Sequence, residues 1–149
     1  MSNMIRVVLD TNVLVSAGRS RLGASFAVLK ALRQRRFLAL VSVPLMLEYE
    51  AVLKRPEQLQ AGERDHRTVD AFLDSFCVYA QQVHLHVLWR PQTRDAADEM
   101  VLETALNGQA DALVTLNTAD FARAALRFNL NLLTPAAFLQ RWLPPTQEN

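Results

Sequence analysis

The 149-residue chain lacks several features that would assign it to a broad class at once. It has a single cysteine, Cys77, so no disulfide can form within the chain, and we expect that thiol to be buried and structural. No apolar stretch approaches the roughly 20 residues of a transmembrane helix, and the N-terminus reaches an acidic residue too early for a secretory signal. We therefore expect a cytoplasmic protein with no membrane segment.

Glycine-rich nucleotide-binding motifs are also absent, since the chain contains neither a P-loop nor a GxGxxG segment. Its net charge of +1 gives the whole molecule no strong field. Of 16 basic residues only Lys30 and Lys54 are lysines. Arginine suits phosphate recognition, but an arginine bias is equally typical of genomes rich in G and C. Clusters such as Arg19 with Arg21 are therefore candidates, and no more, for contact with nucleic acid.

Short apolar runs alternate with amphipathic stretches along the chain. The pattern predicts strands at 5–9, 38–43, 83–89, 112–116 and 130–134, and it predicts helices starting near Asn12 and at 24–36, 44–55, 65–82, 95–107, 118–127 and 135–143. Residues 56–64 are polar and are predicted as a loop. This alternation predicts an α/β fold, a mainly parallel five-stranded sheet with helices on both faces. We expect one domain over 1–149, with an ordered core of about 4–143 and a short polar tail.

Side chains with oxygen donors follow four of the predicted strands. In folds of this class, ligands bind outside the carboxyl ends of the strands. No lysine occurs at those positions, and Asp111 is left out because it precedes a strand. The donors are Asp10 after the first strand, Glu48 after the second, Asp95, Asp98 and Glu99 after the third, and Asn117 with Asp120 after the fourth.

Each of these acids also has a structural interpretation. Asp10 and Asp120 are equally suited to cap the helices that follow them. Asp95 with Asp98 three residues later resembles a capping box, which favours a cap role for Asp95. Asp98 shares a helix face with apolar residues and should lie near the sheet edge. Glu48 also shares a face with apolar residues, where an unpaired carboxylate is costly, so it needs a partner such as a metal ion.

Taken together, the acids predict a metal site at one edge of the sheet. Carboxylates gathered in one crevice raise each other's pKa unless a cation is present. Oxygen donors without neighbouring cysteine or histidine select Mg²⁺ or Mn²⁺. One or two such ions activate water and stabilise a pentavalent phosphate, so the implied chemistry is phosphodiester hydrolysis. His84 and His86 alternate on one predicted strand and are interpreted as a polar strand face.

Four separated segments resemble motifs of the PIN-domain ribonucleases. "LDTNVLVSA" resembles their first motif, and "VPLMLEYEAVLKRP" resembles the second, with Glu48 at the acidic position. "RDAADEMVLETALNGQADALVTLNTADF" resembles the third and fourth motifs together. The segments occur in the family's order and spacing and span about 5–143. The subgroup that the chain is most similar to is the bacterial VapC-like toxins of toxin–antitoxin pairs.

This resemblance implies a three-layer α/β/α sandwich and a Mg²⁺- or Mn²⁺-dependent endoribonuclease that acts on RNA. It places Asp10, Glu48 and Asp98 on the core acidic positions, as catalytic residues and metal ligands. It also implies an antitoxin partner and a homodimer. The fourth position departs from the family, because Asn117 stands where many members have an acid, while Asp120 matches another acidic position. Polar positions that would support the site are Thr11, Asn12, Ser16, Asp95 and Thr115, and the RNA-contact candidates are Arg19 and Arg21.

Three other classes of function are compared with this one by the residues that each would need. A PIN fold that has lost catalysis and only binds RNA or a protein is favoured by Asn117, which supplies a carbonyl oxygen without charge. A phosphoacceptor domain would need an aspartate after the third strand and a lysine after the fifth, where this chain has Thr134 and Pro135. A haloacid-type phosphatase would need an acid where Asn12 stands.

Overall fold

The computed structural model describes residues 4–144 and contains one five-stranded sheet in the order β3-β2-β1-β4-β5. Every neighbouring pair of strands is parallel. The three residues that end β1 are fully buried, as expected for a central strand covered on both faces. The strands are β1 (Arg6–Leu9), β2 (Leu38–Val41), β3 (Ala80–Gln82), β4 (Ala112–Val114) and β5 (Asn131–Leu133).

Eight α-helices and one 3-10 helix within residues 4–144 connect and cover the strands. The α-helices are α1 (Thr11–Arg19), α2 (Ala24–Arg33), α3 (Val43–Leu53), α4 (Pro56–Ala61), α5 (His66–Val78), α6 (Ala96–Asn107), α7 (Ala122–Phe128) and α8 (Pro135–Arg141), and the 3-10 helix is Thr118–Phe121. Helix α6 packs on β1, β2 and β4, while α1 packs on α2 and α3, and α2 on α8. The strand order reverses at β1, which with right-handed crossovers puts helices on both faces. The predicted parallel α/β/α sandwich is confirmed.

Aromatic side chains close the core at two places between the sheet and its helices. Phe37, just before β2, meets Phe138 of α8 edge-to-face with ring centroids 5.1 Å apart. Tyr49 of α3 meets Phe76 of α5 in the same way at 5.6 Å. Such pairs add about 0.5–1.5 kcal/mol to the burial of their area. They fix α8 and α5 to the body of the domain.

The prediction of a strand at 83–89 is wrong. Strand β3 is Ala80–Gln82, and its pairing with β2 ends at Val41 and Gln82, followed by one more bond from Val83 N to Val41 O at 2.7 Å. The next residue of β2, Ser42, caps α3, so no partner backbone remains for 84–89. Instead the side chain of Asn107 accepts from the N–H groups of residues 86 and 87. His84 and His86 are exposed there and do not form a strand face.

Three further expectations differ from the structure. The predicted helix 65–82 ends at Val78, because Ala80–Gln82 enter the sheet. Residues 56–64 are not all loop, since α4 begins with Pro56, which suits a first helical turn. Cys77 is exposed rather than buried.

In the described part of the chain, no helix has the length and apolar character needed to cross a bilayer. The predicted polar tail lies outside the described residues from 145 onward.

Candidate active site

Asp10 ends β1 and occupies the N-cap position of α1, but its side chain does not cap that helix. The carboxylate is only 6 % exposed. Its Oδ2 accepts a hydrogen bond of 2.7 Å from the hydroxyl of Thr115, the fully buried residue that follows β4. Asp10 therefore faces across the sheet edge toward the end of the neighbouring strand, which is the geometry of a site residue rather than a cap.

The carboxylates at this edge lie close enough for neighbouring charges to raise the pKa values of Asp10 and Asp98. Burial raises the pKa of Asp10 above its ordinary value, and the charges of Asp120 and Asp95 raise it further. The hydrogen bond from Thr115 lowers the pKa, but by less than burial raises it. Burial, followed by the charges of Asp10, Asp95, Asp120 and Glu99, raises the pKa of Asp98 to about 7. The structure thus brings Asp10, Asp95, Asp98 and Asp120 together, as their positions after strands predict.

Two asparagines organise the chain around Thr115. Asn12, on the first turn of α1, donates to the Thr115 hydroxyl at 3.3 Å and accepts from Leu116 N at 3.2 Å. The backbone N–H of Asn117 also donates to that hydroxyl, at 3.0 Å. The side-chain amide of Asn117 donates to Asp120 Oδ2 at 2.9 Å. Asn117 and Asp120 therefore act as a pair, both exposed.

Asp95 is the N-cap of α6, as the capping interpretation predicts. Its Oδ1 accepts from Ala97 N at 2.9 Å. The capping box with Asp98 does not form, because the N–H of Asp98 is bonded to the backbone oxygen of Asp95 instead. Asp98 is consequently left without a cap role and lies half-buried in the first turn of α6, beside the other acids.

Glu48 is half-buried on α3, and it is not among the charges that raise the pKa of Asp10 or Asp98. Its neighbour Tyr49 is fully buried and donates its hydroxyl to the carbonyl of Leu9. Burial and the charge of Asp10 raise the pKa of Tyr49 well above its ordinary value. Helix α3 is thereby tied to the end of β1 at Leu9, the residue before Asp10.

Of the remaining polar candidates, Thr11 and Ser16 lie on α1, and the two arginines lie away from the acids. Thr11 is buried at the start of α1 and Ser16 is half-buried further along it. Arg19, at the opposite end of α1 from Asp10, donates twice to Gln58 Oε1 of α4, at 3.1 and 2.9 Å. Arg21 is exposed and lines a cavity of about 580 Å³ between α1, α2 and α5, away from the acids. A nine-residue helix spans about 13 Å, so neither arginine adjoins the aspartates.

Two glutamates of α6 are buried; the sequence names Glu99 only as one oxygen donor after the third predicted strand, and it gives no role to Glu103. Glu99 is 4 % exposed and Glu103 is fully buried. Glu103 accepts from Arg90 Nε at 2.8 Å. Helical periodicity indicates that the two glutamates share a face of α6, because Glu103 lies one turn after Glu99, and Glu103 adjoins the apolar Leu102. Only the fold shows that the segment before α6 covers both carboxylates.

The donor set fits a hydrated divalent cation and not a closed cage. Asp10 and Asp98 carry raised pKa values because burial and the charges of neighbouring aspartates oppose their ionisation, and a cation relieves both effects. Within residues 4–144, no three His, Cys, Asp or Glu side chains are arranged ready to ligate a metal. Mg²⁺ commonly uses one or two carboxylates and keeps several waters. The residues present meet that requirement.

Comparison with known proteins agrees with this geometry. The family model described as "PIN domain" matches residues 6–119. Among solved structures, the fold resembles that of a chain in the crystal structure of VapBC2 from Rickettsia felis bound to a DNA fragment from their promoter. The TM-score is 0.59 at 19% identity, over 87% of this chain and 98% of that one. The comparison with curated proteins gave no match. Since the family model covers most of the chain, the protein belongs to the PIN-domain family.

Proposed function

We propose that the protein is a metal-dependent endoribonuclease that hydrolyses RNA phosphodiester bonds, and that it is the toxin of a toxin–antitoxin pair. PIN domains are generally nucleases, which supports hydrolysis as the reaction class. The observation that carries the proposal is the proximity of Asp10 and Asp98, two carboxylates whose pKa values are raised by burial and by the charges of neighbouring aspartates, Asp10 being one of those that act on Asp98. Such perturbed acids in one crevice are typical of catalytic sites.

Asp10 and Asp98 are the proposed ligands of a Mg²⁺ or Mn²⁺ ion, with Glu48, Asp120 and Asn117 as further ligands directly or through water. When bound, the ion supplies activation of water and charge stabilisation at the phosphate. The protein's own part is orientation: the hydroxyl of Thr115 holds Oδ2 of Asp10 at 2.7 Å. Asn12 and Tyr49 hold the two chain segments that meet there.

The partner proposed for this chain is an antitoxin protein, and the compartment proposed is the cytoplasm, where RNA and such a partner coexist. The support is the fold likeness to a chain of a structure whose title names VapBC2 with promoter DNA. A homodimer is proposed as well. These proposals stand apart from the hydrolytic one, since a free nuclease would cleave RNA without either partner.

The test is cleavage of a defined RNA with Mn²⁺ by the purified chain and by the variants Asp10→Asn and Asp98→Asn. We expect losses of at least about 100-fold for each, since each removes a metal-binding charge. Asp74→Asn on the exposed face of α5 is the matched control and should cleave like wild type. Equal cleavage by all four proteins would show contamination or a misplaced site.

The second candidate is a PIN module that binds RNA or a protein without cleaving. Asn117 favours it, because its amide is engaged with Asp120 and adds no charge. Calorimetry with Mn²⁺ separates the two: a pure binding module would show no heat that disappears in Asp98→Asn.

A further inference from the structure

The two buried glutamates of α6 each leave one carboxylate oxygen, Oε2, without a hydrogen-bond partner among the described residues. Burying a carboxylate is costly unless its bonds repay the lost hydration. Glu99 and Glu103 therefore need a role that justifies their charge, and that role is visible in what their other oxygens hold.

Both glutamates hold residues 89–95, which we call the covering loop. Glu99 Oε1 accepts from two backbone N–H groups, those of Gln92 and Thr93, the second at 2.7 Å. Glu103 Oε1 accepts from Arg90 Nε at 2.8 Å. Glu99 therefore holds the loop on α6 by two backbone hydrogen bonds, and Glu103 holds it by one side-chain hydrogen bond.

The covering loop also contacts α7. Arg127 donates to Gln92 Oε1 at 2.8 Å, and the ring of Trp89 meets that of Phe128 at 5.8 Å with an angle of 67°. Helix α7 follows directly on the 3-10 helix that contains Asp120. The loop therefore bridges the two elements that bring Asp98 and Asp120 to the sheet edge.

At its end the covering loop becomes the N-terminus of α6. Thr93 donates its hydroxyl to the backbone oxygen of Asp95 at 2.9 Å, and Asp95 caps the helix. Asp98 lies in the first turn beyond that cap. A shift of the loop thus moves the cap and the first turn of α6 together. The cap carries Asp95, whose charge acts on Asp10, and the first turn carries Asp98, on which the charge of Asp10 acts.

We propose that Glu99 is a positioning residue of the candidate site: by holding the backbone of the covering loop against α6, it sets where Asp95 and Asp98 lie relative to Asp10. The inference rests on the proposed function for its effect on metal binding. Its effect on the loop stands independently. Glu99 does not touch the reacting atoms in this role; it acts through the loop and the helix start.

The experiment compares Glu99→Leu, which removes both acceptor oxygens, with Glu99→Gln, which keeps a carbonyl oxygen for the same two N–H groups. Thr104→Val is the matched control. Thr104 lies on α6, as Glu99 does, and the change removes its buried hydrogen bond of 2.7 Å to Ser42 without altering a contact of the covering loop. Mn²⁺ affinity is measured by calorimetry, and loop release by the rate of tryptic cleavage after Arg94, followed by mass spectrometry.

For Glu99→Leu we expect Mn²⁺ affinity to fall by about 10–100-fold, the usual effect of losing a group that orients a ligand, together with faster cleavage after Arg94. Glu99→Gln should restore both values to near wild type, and Thr104→Val should lower Tm without either effect. Should Glu99→Leu fail to fold, Glu99→Asp, whose side chain is one methylene shorter, takes its place.

Equal Mn²⁺ affinity in Glu99→Leu and Thr104→Val, or cleavage after Arg94 at the wild-type rate, would overturn the inference. A wild-type protein that binds no Mn²⁺ would overturn the proposed function and, with it, the effect of Glu99 on the metal site. The cleavage rate would then still decide whether Glu99 holds the loop, so the two failures are distinguishable.

Discussion

The hydroxyl of Thr115 donates to Oδ2 of Asp10 across 2.7 Å, joining the end of β4 to the end of β1. The same hydroxyl oxygen accepts from the Asn12 side chain and from the backbone of Asn117. One buried hydroxyl therefore sets the orientation of the most buried aspartate at the sheet edge and the path of the chain beyond β4.

Replacing Thr115 by valine should impair the site more than the fold. Valine has nearly the same shape but cannot donate to Asp10, so we expect Mn²⁺ affinity and RNA cleavage to fall by about 10–100-fold. The free energy of unfolding should fall by about 1–3 kcal/mol, because the buried carboxylate of Asp10 loses its donor and Asn12 and Asn117 lose an acceptor. Calorimetry and denaturant unfolding measure the two effects. Thr115→Ser keeps the hydroxyl and should retain metal affinity; a serine variant as weak as valine would contradict this role.

The pKa of Asp98 predicts how stability depends on pH in the absence of metal. That pKa is about 7 in the folded protein against an ordinary value of 3.8, so the folded state binds the proton more tightly than the unfolded chain. The free energy of unfolding should therefore fall as pH rises from about 4 to 7 and stay low above 7. After allowance for solvent screening, Asp98→Asn should raise Tm at pH 8 by about 3–8 °C.

The measurement for Asp98 is a series of thermal unfolding curves between pH 4 and pH 8 in EDTA. The gain of the asparagine variant should vanish at pH 4, where the carboxyl of the wild type is protonated in the folded state. Added Mn²⁺ should raise Tm of the wild type more than that of the variant. An identical pH profile for the two proteins would refute the raised pKa.

Substituting Asn117 by aspartate should strengthen metal binding. The change replaces an amide that donates to Asp120 by a second carboxylate beside it, so apo stability at neutral pH should drop while Mn²⁺ affinity rises by about tenfold or more. Calorimetry with Mn²⁺ and thermal unfolding in EDTA check both directions. Asn131→Asp, at an exposed position of β5, adds the same charge elsewhere and controls for net charge. An unchanged Mn²⁺ affinity in Asn117→Asp would place residue 117 outside the metal site.

Gly108, at the end of α6, should tolerate no side chain. A Cβ there would lie 2.8 Å from Val83 Cγ2, 2.9 Å from Leu40 Cδ1 and 2.9 Å from the carbonyl oxygen of Thr104. We expect Gly108→Ala to cost about 1–3 kcal/mol through overpacking, measured by urea unfolding. Gly23→Ala is the control for overpacking, since its nearest neighbours would lie at 3.9 Å, and as the N-cap of α2 it should cost at most about 1 kcal/mol. Similar losses in both would mean that the space around Gly108 relaxes.

The role of Gly108 illustrates a limit of sequence interpretation. Its position after a helix predicts a C-terminal cap, and it does occupy the C-cap, but with φ of −86°. The left-handed conformation belongs to Gln109, with φ of 51°. The glycine is required by Val83 and Leu40, which are distant in sequence, and no local pattern reports that contact.

The sequence by itself determined the α/β order, four of the five strands and the recurrence of acids after strands, because periodicity and strand-end position are local properties of the chain. Tertiary structure decided the rest. It replaced the predicted strand 83–89 by Ala80–Gln82, because β2 gives way to α3 at Ser42 and offers no further backbone. It also pairs the side chain of Asp10 with Thr115, so that Asp10 does not cap α1, and it buries Glu99 under the covering loop. Hydrogen-bond partners and burial depend on residues that meet only when the chain folds.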